Sequence, residues 1–270
     1  MPLALSTVGS GPSVILLHGW TGFKEAWGDL PAAIAAAGMC AITVDLPGWG
    51  ASPESPRQRR DAWGYADALD VLIDQYAPVA VIGHSMGGQV AVVVAHRWPG
   101  RISRLVLIAT PVVPAHRGWQ RPKTLVHVVG LPVIGRHIAR IGMFVMAHRR
   151  QRVIASYTRS VFDPSAMEGN PRWEGLANQT LQGLRSTSTA QMAESLQNVA
   201  RTDLRPLLGE IRCPTLVVFG ERDRSVNPAN APTIGRLIPG AEVLPVERAA
   251  HLPFLERPET VIPAIVTFLS

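Results

Sequence analysis

Short runs of apolar, β-branched residues alternate with longer stretches of helical periodicity through most of the chain. The pattern predicts strands over 13–17, 40–45, 79–83, 104–109, 215–220 and 241–246. It predicts helices over 24–37, 61–76, 86–98 and 228–237, and a final helix that begins at Pro258. Strands that alternate with helices in this way are typical of βαβ units. The sequence therefore predicts an α/β fold in which helices flank a mostly parallel sheet.

The alternation stops once, between residues 112 and 202. Helical patterns there are interrupted by proline and glycine, and no clear strand pattern is visible. About ninety residues are too many for a plain loop between regular elements. We therefore predict an α/β core formed by residues 1–111 and 203–270, with an inserted helical cap. Residues 112–202 are called the lid segment below.

Positive charge is concentrated in the lid segment. The 270 residues include 26 Lys and Arg and 20 Asp and Glu, for a formal net charge of +6. Residues 112–205 hold 13 of the basic and 5 of the acidic residues, which leaves 13 and 15 for the remainder. The arginines are interleaved with apolar stretches, and no helix-turn-helix, zinc-finger or RNA-binding signature accompanies them. We expect no nucleic-acid partner.

Several other protein classes are also excluded by the sequence. No uncharged apolar run reaches the length of about 18 residues that a transmembrane helix needs. Residues 1–14 show neither the basic region nor the apolar core of a secretory signal. Two cysteines, Cys40 and Cys213, are too few for a disulfide scaffold or a four-cysteine zinc site. We expect a cytoplasmic globular protein.

A Gly-x-Ser-x-Gly pattern (Gly-His-Ser-Met-Gly, 83–87) lies between a predicted strand and a predicted helix. A sharp strand-to-helix turn strains the serine backbone and exposes its hydroxyl at the carboxyl end of the strand. Glycines on either side remove side chains that would clash there. Outside such a turn the pattern is common in glycine-rich loops, so this context makes Ser85 a candidate nucleophile.

A serine nucleophile needs a base and a carboxylate that orients the base. His251 lies just beyond the last predicted strand, and Asp223 follows the strand at 215–220. The order Ser, Asp, His along the chain is the one expected for a serine turn in an α/β sheet. Glu221 is the nearest competing acid, and we expect it to face solvent.

Two other histidines lie beside candidate residues. His84 adjoins the serine, but in a tight turn its side chain should point away from the hydroxyl, which favours a packing role. His18 ends a predicted strand beside Gly19 and is expected to organise that loop. For the histidines of the lid segment we expect solvated or helix-face positions.

Five segments of the chain together resemble the α/β-hydrolase superfamily. Within it, they resemble the lidded serine hydrolases that include small esterases, thioesterases and lactonases. The matching segments are 17–20, 44–52, 83–88, 220–223 and 251–258. The resemblance covers roughly residues 8–110 and 203–270 and leaves out the lid segment. It implies an oxyanion hole formed by the backbone N–H groups of Trp20 and Met86. Ala250 departs from the pattern, since many relatives have glycine before the histidine.

The resemblance implies a serine hydrolase that cleaves a carboxylic ester, thioester or lactone through an acyl-enzyme intermediate. Ser85 would attack, His251 would transfer the proton, and Asp223 would hold the imidazole. No metal or organic cofactor is needed for this chemistry. An acyltransferase or perhydrolase with the same triad is an open alternative, as is a non-catalytic ligand receptor. Dehalogenases and epoxide hydrolases of this fold carry Asp in place of the serine.

The identity of the partner depends on the lid segment. Residues 136–159 contain six arginines and no acid, with Ile138, Ile141 and Val145 at helical spacing. One interpretation is a helix that packs this stripe on the core and exposes its arginines to water. The other is a lid that covers an apolar acyl pocket while its arginines attract an anionic partner. That partner would be a small anionic acyl substrate, an acidic carrier protein, or an anionic membrane surface contacted peripherally.

Overall fold

A seven-stranded sheet forms the centre of the protein in the computed structural model, which describes residues 2–54, 57–115, 140–142, 144–145, 147–167 and 170–270. The strands are β1 (Leu5–Gly9), β2 (Ser13–Leu17), β3 (Cys40–Val44), β4 (Val79–His84), β5 (Ile102–Ile108), β6 (Thr215–Gly220) and β7 (Glu242–Val246). Their order across the sheet is β1-β3-β2-β4-β5-β6-β7. All neighbours are parallel except β1, which runs antiparallel to β3.

Helices connect the strands and cover the sheet. They are α1 (Leu30–Ala36), α2 (Ala62–Tyr76), α3 (Met86–Arg97), α4 (Arg150–Ser160), α5 (Pro171–Ser186), α6 (Thr189–Arg201), α7 (Arg205–Leu208), α8 (Asn230–Leu237), α9 (Pro253–Glu256) and α10 (Pro258–Leu269). Between β5 and β6 the described residues form helices and a single 3₁₀ turn (Pro164–Met167), with no strand. The predicted α/β class with inserted helices is confirmed, whereas the boundaries 112 and 202 stay a prediction.

The central strands are buried on both faces, which explains their continuous apolar sequence. The residues Val14 to Leu17 of β2 are at most 1% exposed, and β4 and β6 are buried along their whole length. Leu17 pairs with Gly83 in the parallel register of β2 and β4. Because parallel strands present their carboxyl ends at one edge, the loops after β2, β4 and β6 meet there.

Helix α1 and strand β1 differ from the sequence prediction, and the short helices α7 and α9 were not predicted. The helix predicted over 24–37 begins only at Leu30, because Gly28 has a φ of +57° and Pro31 lies in the first helical turn. Proline is favoured at that position, since its missing N–H has no helical partner. Strand β1 is not predicted at all. It is an exposed edge strand, so it lacks the apolar run that identifies the other strands.

Helix α3 packs against the end of β2 so closely that Gly87 admits no side chain. A Cβ atom at Gly87 would lie 1.9 Å from the carbonyl oxygen of Leu17. We expect Gly87→Ala to lower the free energy of unfolding by about 3 kcal/mol, since a backbone clash in a close-packed interior forces the helix to move. Urea denaturation followed by circular dichroism measures this.

The matched control is Gly100→Ala. A Cβ atom there meets nothing within 4 Å, so we expect a change of at most about 0.5 kcal/mol. Equal stability of the two variants would contradict the close contact between α3 and β2.

Candidate active site

The turn between β4 and α3 holds Ser85 in a strained conformation. Its φ of 51° and ψ of −112° lie outside the regions that non-glycine residues ordinarily adopt. The backbone N–H of Ser85 donates to Ile108 O on the neighbouring strand at 2.8 Å. Its carbonyl oxygen accepts from the N–H groups of Gly88 and Gln89 at 3.0 and 3.2 Å. These bonds on both sides keep the backbone in place despite its strain.

His251 and Asp223 are brought together from two different loops. Asp223 follows β6, His251 follows β7, and His251 Nδ1 lies 2.8 Å from Asp223 Oδ2. An ionised carboxylate only accepts, so Nδ1 donates to it, and in the neutral imidazole Nε2 is then the acceptor nitrogen. The Asp223 side chain is fully buried, and its Oδ1 accepts from the N–H groups of Ser225 and Val226 at 2.7 and 2.9 Å. The carboxylate is thereby fixed in orientation.

A cavity of about 300 Å³ opens beside these residues, and both Ser85 and His251 line it. Its walls are mainly apolar and come from two parts of the chain. Trp27 and Phe254 belong to the core, whereas Val153, Leu176, Leu184 and Leu196 belong to α4, α5 and α6. The inserted helices therefore form one side of the candidate site.

His18 holds two loops next to the cavity. Leu46 N–H donates to His18 Nε2 at 3.1 Å, so Nδ1 carries the proton and donates to Gly19 O at 2.8 Å. Burial lowers the pKa of His18, which favours this neutral form. The geometry agrees with the predicted role of His18 in organising the loop.

Of the two predicted oxyanion-hole residues, Met86 directly follows Ser85 in the chain and Trp20 lines the same cavity as Ser85. Met86 is the first residue of α3, so its N–H has no partner within the helix. Trp20 lines the cavity, and its indole Nε1 donates to Met192 O of α6 at 3.0 Å. A Cβ atom at Gly19 would lie 3.2 Å from Ser85 Cβ, which shows how closely the Gly19–Trp20 backbone approaches the serine. The role of these N–H groups stays a prediction.

His84 contacts the loop that carries His251, called the His251 loop below. The sequence did not indicate this contact. Its Nε2 donates to the backbone oxygen of His251 at 2.9 Å, and the two rings are 4.9 Å apart. Burial lowers the pKa of His84 to about 3, and the His251 charge acts in the same direction. Glu256 also contacts this loop; it lies in the matching segment 251–258, but the sequence assigned it no role.

Most of the other described candidates do not line the cavity, and Arg159 is the exception. Glu221 is exposed, as predicted, and His148 is exposed with its Nδ1 2.8 Å from Phe144 O. Ile141 and Val145 are 67% and 38% exposed, so these members of the apolar stripe do not pack on the core. The described arginines of this stretch are also exposed: Arg140, Arg149, Arg150, Arg152 and Arg159. Outside the described residues lie Ile138, Arg136, His116, His127 and His137.

Among the helices of the described ranges, none has both the length and the apolar character that crossing a bilayer requires.

Comparison with known proteins adds to this geometry. The chain is 30% identical to the pimeloyl-acyl-carrier protein methyl ester esterase of Chromobacterium violaceum, over 100% of this chain and 99% of that protein. The structure is similar to esterase EaEST from Exiguobacterium antarcticum (TM-score 0.79, 21% identity, 99% of this chain and 95% of that chain). It is also similar to a thermophilic esterase from Thermogutta terrifontis (TM-score 0.74, 25% identity, 99% and 92%).

The alpha/beta hydrolase family model matches residues 14–264, which is most of the chain. The matched range includes the Ser85 turn, Asp223 and His251, together with the helices inserted between β5 and β6. From this match and the full-length relative, the chain belongs to the alpha/beta hydrolase family.

Proposed function

We propose that this carboxylic ester hydrolase acts through Ser85 as nucleophile, His251 as general base and Asp223 as the group that orients the base. The observation that carries the proposal is the 2.8 Å bond from His251 Nδ1 to the buried Asp223 carboxylate, since His251 lines the same cavity as the strained Ser85. This bond leaves His251 Nε2 free to accept a proton.

The reaction then runs in two steps. Ser85 Oγ attacks the ester carbonyl carbon while its proton passes to His251 Nε2, and Asp223 stabilises the imidazolium. The N–H groups of Trp20 and Met86 donate to the developing oxyanion, and one such donor contributes about 10²–10³ in rate. His251 returns the proton to the leaving alkoxide as the carbon–oxygen bond breaks. Water then attacks the acyl-enzyme in the same way and releases the acid.

The other two histidines at the site are unsuited to be the base. His18 uses Nδ1 and Nε2 in bonds to Gly19 and Leu46, and burial lowers its pKa. His84 donates its Nε2 proton to the His251 backbone, and its pKa of about 3 keeps it neutral near pH 7. A neutral His84 also avoids placing a positive charge beside the imidazolium that the reaction forms on His251.

For the substrate we propose a carrier-bound acyl ester. The relative from Chromobacterium violaceum is named for an acyl-carrier protein methyl ester. In this chain, apolar walls suit an acyl chain inside the cavity, and exposed arginines lie on the same inserted segment. Arg149, Arg152 and Arg159 are exposed at or within α4, one of the helices that line the cavity. Clustered positive charge around a cavity attracts a negatively charged partner over several ångströms. The cytoplasmic location predicted from the sequence suits such a substrate and is itself part of this proposal.

The triad makes a direct prediction for two variants. Ser85→Ala and His251→Ala should each lower kcat/KM for a short p-nitrophenyl ester at least about a thousand-fold, because triad members act as a unit. A fluorophosphonate probe should add covalently to Ser85, as read by peptide mass spectrometry. Ser156→Ala is the matched control, since Ser156 also lines the cavity and should be dispensable. Labelling of another residue, or full activity of Ser85→Ala, would refute the assignment.

Carrier recognition predicts a response to salt and to charge reversal. Raising ionic strength from about 0.01 to 0.15 M shortens the Debye length from about 30 to 8 Å. We expect kcat/KM for a carrier-bound methyl ester to fall about ten-fold over that range, and a similar fall for Arg149→Glu/Arg150→Glu at low salt. The free methyl ester of the same acyl chain should respond to neither change.

The control for net charge is Arg212→Glu/Arg236→Glu, which reverses two exposed arginines that do not line the cavity. Its kcat/KM for the carrier-bound ester should equal that of the wild type. If a free anionic ester showed the same losses as the carrier-bound one, the partner would be a small anion. If kcat/KM for all substrates responded alike to salt and to charge reversal, the arginines would be solvent-exposed residues without a role in attracting the partner.

A further inference from the structure

One carboxylate contacts the backbone on both sides of His251. Glu256 Oε1 accepts from the N–H of Ala250 at 3.0 Å and from the N–H of Leu252 at 3.0 Å. Glu256 stands at the end of α9, the short helix that follows this loop. A loop whose flanking N–H groups both donate to one fixed group has little freedom to shift the imidazole between them.

The second oxygen of the same carboxylate reaches the lid segment. Glu256 Oε2 accepts from the N–H of Phe162 at 2.6 Å, two residues beyond the end of α4. His251 N–H itself donates to Ser160 O, the last residue of α4, at 2.8 Å. The C-terminal end of α4 is therefore joined to the His251 loop in two ways. One is the direct bond from His251 N–H to Ser160 O, and the other is a bridge in which Glu256 accepts from Phe162 N–H and from N–H groups of the loop.

The chemistry of this junction requires a carboxylate. Three N–H donors converge on two oxygens, and an ionised carboxylate offers only acceptors. An amide would turn a donor toward one of the three N–H groups. Burial raises the pKa of the Glu256 carboxyl above its ordinary value. The three N–H donors act in the opposite direction, and the nearby Asp223 charge adds to the rise.

We propose that Glu256 is a positioning residue that fixes the His251 loop and couples its placement to the lid segment through the N–H of Phe162. The inference rests on the proposed function, because it concerns the placement of the proposed base. A displacement of about 1 Å at a reacting group lowers the rate up to about a hundred-fold. Loss of this junction should therefore lower kcat, which reflects the chemical step, and leave KM nearly unchanged.

The experiment compares two matched pairs of variants. Glu256→Gln alters the carboxylate, and Glu259→Gln is its control, since Glu259 is exposed and paired with Arg257 on the next helix. Phe162→Pro removes the N–H donor, and Phe162→Ala removes the side chain but keeps the N–H. Val161 has a φ of −106° and a ψ of 157°, which a residue before proline adopts without strain.

Three measurements are made on each full-length variant: kcat and KM for p-nitrophenyl acetate, the rate of fluorophosphonate labelling of Ser85, and stability to urea. We expect Glu256→Gln to lower kcat and the labelling rate about ten-fold with KM within about two-fold of wild type. Phe162→Pro should lose a similar factor relative to Phe162→Ala. The double variant Glu256→Gln/Phe162→Pro should be no slower than the slower single variant, because both remove one shared contact.

Wild-type kcat and labelling in Glu256→Gln would overturn the proposal, even with reduced stability, since the residue would then be only structural. Equal rates for Phe162→Pro and Phe162→Ala would overturn the coupling to the lid segment. If Glu256→Gln does not fold, the comparison of Phe162→Pro with Phe162→Ala tests the proposal by itself. A wild-type protein that is not labelled at Ser85 would refute the proposed function and this inference together. Labelled wild type with unaffected variants refutes this inference alone.

Discussion

The close approach of α3 to the carboxyl ends of β2 and β4 is the constraint on which the rest of the site depends. Gly83 and Gly87 admit no Cβ atom there, and Ser85 between them is held at a φ of 51°. Such a backbone conformation costs about 1–3 kcal/mol. Burial of nearly the whole of α3 in the core offsets that cost, since its residues 86–95 are all buried. Packing energy from the fold thus maintains a strained serine at the cavity.

The inserted helices are part of the site rather than only a cover over it. The indole of Trp20 donates to the backbone of α6, and the N–H of His251 donates to the last residue of α4. The Arg60 side chain, in the loop before α2, donates to the side chain of Gln191 at 2.9 Å and pairs with Glu194, both on α6. A movement of these helices would therefore reach both the proposed oxyanion hole and the proposed base.

Apolar and charged groups of the lid segment face different surroundings. Val153, Leu176, Leu184 and Leu196 line the cavity. The described arginines near α4 are exposed, and Arg159 among them also lines the cavity. The apolar wall acts over contact distances and suits selection of an acyl chain by shape and length. The charges act over about 8 Å in physiological salt and suit the attraction of a larger partner. The lid segment can in this way select the acyl chain by direct contact and attract a charged partner over a longer distance.

The sequence by itself determined the α/β class, the central strands and the three proposed triad residues. These depend on local signals: unbroken apolar runs, and motifs that stand where strands end. It did not reveal β1, the late start of α1, or the contacts of His84 and Glu256. The His84 bond joins residues 167 positions apart, and the Trp20 bond joins residues 172 apart. Only tertiary packing decides such contacts, because hydrophobic periodicity reports which face of an element is buried and not which distant polar group it meets.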